Sequence, residues 1–459
     1  MLDLVIKGGT VVTAGSLGTS DVGIQDGKIA QLGPGLTGRR ALDARGAYIF
    51  PGGVDVHVHL TSPIEPAPGV ERWVDDFYSG SQAAIAGGVT TVGNMTFQRR
   101  GEGLRDALER DLAAAKGDAA IDYILHPVLM YPEEQVRAEI PVLAAEGHTS
   151  IKIFMVLDHF DAHVNAYLQA MRTAASAGVL TMLHCEDGAL IRCVCQDLVA
   201  QGLGAPRHYP DSRPDYTESA AVERAIAFTR ATGAPIYIVH LSSAAALDAC
   251  RRARAQGLSV YVETRPLYLY LTRAVFDQPD AAKYVGNPPL RRATDTDAIW
   301  HGLRSGDIQC LCSDHAPWSL RQKLDPALDI TTVRPGVADL ETLMPMLFSE
   351  GVRSGRLSLS RFVEVTSTNT AKLFGLYPRK GTIAVGADGD LVVWDPDARR
   401  TIQGATMRSK AGYSVYDGRE VQGWPVYTIS RGDVVLEDGQ VTAPRGRGRW
   451  VRRDRTMAL

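Results

Sequence analysis

The stretch PGGVDVHVHL, residues 51–60, decides the fold. Its valines and leucine favour a β-strand, and the Pro-Gly-Gly at its start favours a break before that strand, so the stretch predicts a buried strand. Side chains alternate across a strand, so Asp55, His57 and His59 point the same way. A single histidine in such a strand is usually a hydrogen-bonded core residue. Two histidines on one face, beside an aspartate, indicate metal ligands.

The middle of the chain, residues 53–375, alternates strand-like and helix-like stretches. Amphipathic segments such as EGLRDALERDLAAAK separate the strands. The strand-like stretches are VDVHVHL, VTTVGNM, IDYILHPVL, SIKIFMV, VLTMLHCE, IYIVHLS, SVYVETR and IQCLCSD. Eight strands alternating with helices predict a (β/α)8 TIM barrel of the α/β class, with the active site at the carboxyl ends of the strands.

Both ends of the chain are β-rich. Asp26-Gly27 and Asp438-Gly439 lie between strand-like runs, which is a β-hairpin signal. We therefore expect one small β-sandwich domain built from both termini, residues 1–52 and 376–459, with the barrel domain of residues 53–375 inserted between its halves.

The composition excludes several classes of partner. Charged residues make up 22% of the 459 residues and the net charge is -3, which does not indicate nucleic acid or an anionic membrane. No apolar run is long enough for a membrane span, and the N-terminus lacks a secretory signal. The six cysteines favour reduced thiols in a cytoplasmic protein. We expect the basic segment PRGRGRWVRRDR, residues 444–455, to be an exposed tail or a subunit contact.

Four further side chains lie in or near the ends of the barrel strands: Lys152, His184, His240 and Asp314. Each alone has a structural explanation, such as an ion pair or a helix cap. Together with the two histidines above they supply nitrogen and oxygen donors suited to zinc or a similar divalent ion. A lysine ammonium cannot bind a metal and is costly to bury between cations, so the chemistry needs it neutral or anionic.

The order H-x-H, strand lysine, histidine, histidine, aspartate resembles the amidohydrolase superfamily with a binuclear metal centre. The segments SIKIFM, LHCEDGALI, YVGNPPLR, SDHAPW and NTAKLFGLYPRKGTIAVGADGDLVVWDP are similar to the hydantoinase/dihydropyrimidinase group of cyclic amidases. The similarity extends over nearly the whole chain and includes both halves of the terminal β-domain.

The resemblance implies two divalent ions, most readily zinc. His57, His59 and Asp314 would hold the first ion, and His184 and His240 would hold the second. Lys152 would be carboxylated by CO2 to N6-carboxylysine, which bridges the two.

The resemblance also implies the reaction. Asp314 would act as general base and then general acid in hydrolysis of the ring C–N amide bond of hydantoins, dihydropyrimidines or related cyclic ureides and imides. The products would be N-carbamoyl amino acids. The family further implies a homo-oligomer, a tetramer or a dimer.

The chain departs from the family beside the lysine. Leu157 stands where hydantoinases carry a tyrosine that stabilises the oxyanion, and loss of one such donor costs ~100–1000-fold in rate. His159 and His163 could replace it, or they are exposed loop histidines.

Three more positions are candidate substrate contacts. Thr264 matches a position whose backbone binds the imide part of the ring. Arg265 next to it is unusual, and Arg334 stands near a position that is asparagine in the family. Either arginine could face an anionic substrate group or serve a structural role.

Three other functions are alternatives to a hydantoinase. An allantoinase would need a polar pocket for the ring substituent, whereas Trp73, Phe154, Leu157 and Trp318 predict an apolar one, shaped by the loops of residues 61–77 and 316–336. A dihydroorotase is disfavoured because Thr61 replaces its substrate-binding arginine. A non-catalytic, dihydropyrimidinase-like scaffold is disfavoured because all six candidate ligands are kept.

Overall fold

Eight parallel strands follow one another around a barrel in chain order. The computed structural model describes residues 1–63 and 69–459. The strands are β6 (Gly53–Val58), β7 (Val89–Phe97), β8 (Asp122–Val128), β9 (Ser150–Phe154), β10 (Leu180–His184), β11 (Ile236–Ile238), β12 (Val260–Thr264) and β13 (Cys310–Leu311). Val58 pairs in parallel with His315, and the backbone N–H of His59 donates to the carbonyl of His315 at 2.8 Å. These contacts join the first strand to the segment after the last and close the barrel.

Helices connect the strands and cover the outside of the barrel. Their α-helical segments are α1 (Phe77–Ala86), α2 (Leu104–Asp118), α3 (Glu134–Glu146), α4 (Asp158–Ala162), α5 (Val164–Ser176), α6 (Gly188–Ala200), α7 (Tyr209–Ser212), α8 (Asp215–Thr232), α9 (Ala244–Ala255), α10 (Pro266–Tyr270), α11 (Ala293–Ser305), α12 (Leu320–Lys323), α13 (Leu343–Leu347), α14 (Leu359–Val363) and α15 (Asn369–Leu373). Asp76 caps α1 by accepting the backbone N–H groups of Tyr78 and Ser79, which sets where the first helix begins. Among the described residues, no helix is both long and apolar enough to span a membrane.

Strands from both ends of the chain form a second, mixed sheet. They are β1 (Leu2–Val12), β2 (Leu17–Gln25), β3 (Lys28–Gly33), β4 (Gly38–Asp43), β5 (Tyr48–Pro51), β14 (Leu391–Thr401), β15 (Glu420–Ser430), β16 (Asp433–Glu437) and β17 (Gln440–Val441). The antiparallel pairing of β5 with β14 joins the two halves. Asp26 and Asp438 have φ of 51° and 50° and are each followed by a positive-φ glycine, as the two hairpin signals predict. The predicted fold class, a TIM barrel with a β-domain from both termini, is confirmed, while the division at residues 52/53 and 375/376 stays a prediction.

A buried lysine lies between the terminal sheet and the barrel. Lys380 Nζ lies 2.7 Å from Asp122 Oδ2, 3.0 Å from Asp388 Oδ2 and 2.5 Å from Asp390 Oδ2. The three carboxylates are close enough to hold a metal ion, but the ammonium already occupies the space between them. The cluster is therefore an ion-pair junction between β8 and the segment that leads into β14.

The basic C-terminal segment is anchored to the barrel rather than free as an exposed tail, while its alternative role as a subunit contact stays a prediction. Val451 and Arg453 are buried, and the backbone N–H of Val451 donates to the carbonyl of Tyr123 at 2.9 Å. The Arg453 guanidinium donates to Ser150 Oγ at 2.8 Å and to the carbonyl of Leu125 at 3.1 Å. The segment therefore packs against the amino ends of β8 and β9, on the side of the barrel away from the candidate site.

Candidate metal centre and substrate pocket

The two histidines of the opening strand converge on the aspartate that follows the last barrel strand. Asp314 Oδ1 lies 3.2 Å from His57 Nε2 and 3.0 Å from His59 Nε2. All three side chains are buried, and one ligand atom from each lies within 4.8 Å of the others. Two imidazole nitrogens and a carboxylate oxygen at this spacing suit one divalent ion.

Carboxylates behind this cluster fix its orientation. His57 Nδ1 lies 2.7 Å from Glu263 Oε1, which leaves Nε2 free to face an ion. The same Glu263 oxygen accepts the backbone N–H of His240 at 3.0 Å. Asp55 does not join the ligands, because its carboxylate accepts the backbone N–H groups of His57 and Ser313, each at 3.1 Å. Burial raises the pKa of Asp55 to about 6.

A second pair of histidines lies at the carboxyl end of β10 and just after β11. His184 Nδ1 is 2.9 Å from His240 Nε2. His184 Nε2 is 2.9 Å from Glu186 Oε2, and Glu186 pairs with the Arg213 guanidinium at 2.9 Å. Burial lowers the pKa of both imidazoles, His240 well below its usual range, so the pair is neutral as metal ligation requires.

Lys152 is a buried cationic side chain whose amine has no hydrogen-bond partner among the described residues. It has no exposed surface, and its Nζ makes no hydrogen bond. Burial lowers its pKa to about 8, despite the opposing charges of Glu263 and Asp314. An ammonium is poorly accommodated there, whereas a carboxylated lysine between two ions would satisfy the site. The residues present thus fit a two-ion centre.

Two of the candidate ligands have unusual backbone conformations. His240 has φ of 38° and Asp314 has φ of 48°, in the left-handed region that is rare for residues other than glycine. Such conformations cost ~1–3 kcal/mol each and cluster at functional sites. This geometry aims both side chains over the mouth of the barrel.

Arg265 contacts the site in a way that the sequence did not predict. Its guanidinium is fully buried and lies 2.9 Å from Asp314 Oδ2, on the side of the carboxylate away from His57 and His59. Burial alone would raise the pKa of Asp314, but Arg265 and the two imidazoles outweigh it and hold that pKa well below its usual range. This pairing favours the structural role of Arg265 over contact with a substrate anion, and the substrate contact stays a prediction.

A largely apolar pocket of about 310 Å³ opens over the ligands. It is lined by His57, His59, Pro63, Trp73, Phe97, Met130, Phe154, Val156, Leu157, His184, His240, Asn287, Asp314, Ala316, Pro335 and Gly336. Trp73, Phe154 and Leu157 therefore lie where the sequence predicts. Trp318 lies behind Trp73, with ring centroids 6.3 Å apart, and its indole donates to the carbonyl of Pro335. Residues 64–68 of the predicted pocket loop lie outside the described residues.

Two predicted substrate residues do not line this pocket. Thr264 is buried and its hydroxyl donates to the carbonyl of Leu241 at 2.9 Å. The Arg334 guanidinium donates to the carbonyl of Gln322 and lies over the Trp318 ring.

The histidines proposed to replace the oxyanion tyrosine lie elsewhere. His159 and His163 line a neighbouring cavity of about 530 Å³, and His159 stacks on Tyr131 there. This position favours the other interpretation of these two residues, as loop histidines, over a role as oxyanion donors. Thr61 is also turned away, because its hydroxyl donates to Asp111 Oδ2 at 2.7 Å, so it does not take the place of a substrate-binding arginine.

The sequence reasoning missed two polar residues of the site. Glu263 orients His57, and its signal was its position at the end of the strand-like stretch SVYVETR. Asn287 lines the pocket, and its signal in the sequence is its place in the segment YVGNPPLR, which resembles the family.

Comparison with known proteins places these observations in a family. The sequence profile of the amidohydrolase family matches residues 48–435. The chain is 37% identical to a D-hydantoinase of Ralstonia pickettii over 457 residues, which cover 98% of this chain and 99% of that protein. It is 39% identical to a D-phenylhydantoinase of Escherichia coli O9:H4, covering 98% of each chain. The crystal structure of dihydropyrimidinase from Brevibacillus agri NCHU1002 matches all of both chains with a TM-score of 0.94 at 36% identity.

Proposed function

This chain belongs to the amidohydrolase family, and we propose that it is a metal-dependent cyclic amidase that hydrolyses the ring C–N amide bond of hydantoins or dihydropyrimidines to N-carbamoyl amino acids. The observation that carries the proposal is the convergence of His57, His59 and Asp314 beside the unpartnered Lys152 amine, at the base of a pocket of ring size. Full-length similarity to D-hydantoinases and a dihydropyrimidinase supports the same reaction class.

The ligand set suits two divalent ions, and we propose zinc, because imidazole and carboxylate donors at low coordination number favour it. When bound, the two ions supply Lewis-acid polarisation of the ring carbonyl and a water nucleophile at neutral pH. Their ligands would be the six residues His57, His59, Lys152 as N6-carboxylysine, His184, His240 and Asp314.

The protein side chains then hold and move protons. Asp314 carries the proton from the attacking water to the leaving ring nitrogen, since its carboxylate faces the pocket at the ligand cluster. Glu263 fixes the ring of His57. Arg265 holds the second carboxylate oxygen of Asp314, so that the first stays directed at the two imidazoles.

The pocket walls determine which rings are favoured. Trp73, Phe97, Phe154 and Leu157 offer aromatic and aliphatic surface beside the ligands. A 5-phenyl substituent that buries ~100 Å² there contributes ~2.5 kcal/mol, or about 60-fold in kcat/KM. The pocket wall offers no polar partner for the ureido substituent of allantoin, so the allantoinase alternative is disfavoured. The scaffold alternative is disfavoured, because His57, His59 and Asp314 lie close enough to hold an ion and His184 contacts His240.

We further propose a homo-oligomer, a tetramer or a dimer, as the family resemblance implies. We also propose that it is cytoplasmic and has no nucleic-acid or membrane partner, as the composition indicates. Light scattering after size-exclusion chromatography at micromolar concentration measures the assembly, and a monomeric mass would contradict it.

The reaction is tested with zinc-loaded protein on hydantoin, 5-phenylhydantoin, dihydrouracil, succinimide and allantoin. The expected result is ring opening of 5-phenylhydantoin and of the unsubstituted ureides, with loss in the Lys152→Ala variant. Opening of allantoin alone would favour the allantoinase instead.

A further inference from the structure

We propose that a cavity at the amino end of the barrel binds a phosphate-bearing anion. This basal cavity has a volume of about 660 Å³ and lies between α2, the turn that joins β15 to β16, and the C-terminal segment. Its polar and aromatic lining includes Lys116, Tyr123, Arg431, Arg447, Arg449 and Trp450. Tyr123 is the second residue of β8, whereas the metal ligands gather at the carboxyl ends of the strands, so the site does not rest on the proposed function.

The charges that line the basal cavity do not balance. Lys116, Arg431, Arg447 and Arg449 bring four cations, whereas Asp433 is the one carboxylate among the described lining residues. Arg447 Nη2 lies 2.8 Å from Asp433 Oδ2, so these two charges pair with each other. Three cations are therefore left at the cavity without a carboxylate in its lining.

Arg431 is fixed in place at the cavity wall. Arg431 and Gly432 form the turn between β15 and β16, with φ of 45° and 79°. The backbone N–H of Arg431 donates to Asp390 Oδ1 at 2.6 Å, and its Nη2 donates to the carbonyl of Arg447 at 2.6 Å. Nη1 makes no hydrogen bond within the described part of the chain, so the guanidinium is preorganised with one donor group to spare.

The surroundings of Arg431 also favour an added anion. Its side chain is 12% exposed, and Nε lies 3.0 Å from Asp122 Oδ1. The other oxygen of Asp122 already lies 2.7 Å from Lys380 Nζ, so this carboxylate is shared between two cations. Burial lowers the pKa of Arg431, and the charges of Arg447 and Arg449 lower it further against the attraction of Asp122. An anion in the cavity would offset this local excess of positive charge.

Three more donors at the basal cavity are unpaired among the described residues. The side chains of Lys116 and Arg449 are exposed and make no ion pair or hydrogen bond there. Tyr123 is only 2% exposed, yet its hydroxyl makes no hydrogen bond to the rest of the described chain. Burial raises its pKa to about 12, so the hydroxyl remains a donor at neutral pH. Because buried hydroxyls are normally hydrogen-bonded, an unpaired one at a cavity wall indicates a ligand oxygen.

These donors favour phosphate over carboxylate. The forked guanidinium groups of Arg431 and Arg449 match the tetrahedral oxygens of phosphate, and the Lys116 ammonium adds a third charge. A phosphate dianion balances two of the three cations, whereas a carboxylate balances one. The cavity is larger than a phosphate ion, and the rings of Tyr123 and Trp450 line it, so an organic group esterified to the phosphate also fits.

Isothermal titration calorimetry of the zinc-loaded protein at neutral pH tests the proposal with inorganic phosphate, adenosine monophosphate, adenosine and acetate. We expect phosphate and the nucleotide to bind one site per chain with Kd below ~1 mM, and adenosine and acetate not to bind. Tighter binding of the nucleotide would support a phosphate ester as the ligand, and equal affinities would support free phosphate. Because zinc also attracts phosphate, variants are needed to locate the site.

The double variant Lys116→Gln, Arg449→Gln removes two exposed side chains that make no contact needed for folding. We expect it to weaken phosphate binding at least ~10-fold. Arg455→Gln is the matched control, since it removes one cation from the same basic segment outside the cavity, and it should change Kd less than ~twofold. Zinc content and turnover of 5-phenylhydantoin should match the wild type in each variant. If the double variant does not fold, Arg449→Gln alone carries the test, with an expected loss of ~threefold.

Equal phosphate affinity in the wild type and the double variant would place the anion elsewhere, the metal centre included, and would overturn the proposal. Acetate binding as tight as phosphate binding, or an equal loss in Arg455→Gln, would overturn it as well. So would the absence of phosphate binding to the wild-type protein up to ~10 mM. Each of these results leaves the proposed hydrolase reaction untouched, because that reaction is measured separately by turnover.

Discussion

The environment of Lys152 predicts how the metal centre assembles. The perturbation is to strip metal and CO2 from the protein and then return zinc at constant dissolved CO2 over a pH series. Carboxylation requires the neutral amine, and burial lowers the pKa of Lys152 to about 8 from the ordinary value of 10.5. At pH 7 about 9% of the amine is then neutral, roughly 300-fold more than for an exposed lysine.

The direction of the pH dependence follows from the lowered pKa of Lys152. Because the neutral form increases as pH rises through the pKa, the rate of carboxylation should rise about fivefold from pH 7 to pH 8 and level off near pH 9. The assay is the carbamate signal of ¹³CO2-labelled protein by NMR, read alongside zinc uptake. Lys152→Met is the matched control and should take no label at the site. A rate that keeps climbing to pH 10, or full zinc loading without CO2, would refute the reasoning.

Four other predictions concern catalysis and stability. Asp314→Asn should lower the kcat of zinc-loaded protein ~100–10,000-fold, as measured by steady-state kinetics. Near-normal turnover would show that Asp314 is not the proton carrier. Phe154→Ala should lower the preference for 5-phenylhydantoin over hydantoin by about 10-fold in kcat/KM, since part of the apolar wall is lost, and an unchanged ratio would place the substituent elsewhere. Lys380→Met should destabilise the fold by ~3–5 kcal/mol in urea denaturation, because the buried carboxylates of Asp122 and Asp390 would lose the ammonium that lies between them, and an unchanged midpoint would contradict this. Removing residues 448–459 should lower the thermal midpoint by several degrees, since Arg453 and Val451 are buried, and an unaltered midpoint would show that the segment adds nothing.

The fold and the ligand positions could be predicted from the sequence because both follow short-range rules. Alternation places His57 and His59 on one strand face, and parallel strands bring their carboxyl ends to one mouth. The structure brings these histidines to Asp314, and His184 to His240, as the ligand hypothesis requires.

The contacts around the ligands and the position of the C-terminal segment depend on packing between distant segments, which no local sequence pattern encodes. The sequence leaves Arg265 open between a substrate contact and a structural role, and the structure buries it against a residue 49 positions later. The C-terminal segment reads as a charged surface tail, yet the apolar stem and hydrogen bonds of Arg453 anchor it under the barrel. Asn287 lines the pocket, yet the hydroxyl that donates to its side-chain oxygen belongs to Tyr209, 78 residues away.

The most direct test of the account is ring opening of 5-phenylhydantoin by protein loaded with two zinc ions, followed by detection of N-carbamoyl phenylglycine, with Lys152→Ala as control. The account predicts product from the wild-type protein, turnover of unsubstituted hydantoin that is slower by about 60-fold in kcat/KM, and none from the control. Two bound ions with no product from any hydantoin or from dihydrouracil would contradict it.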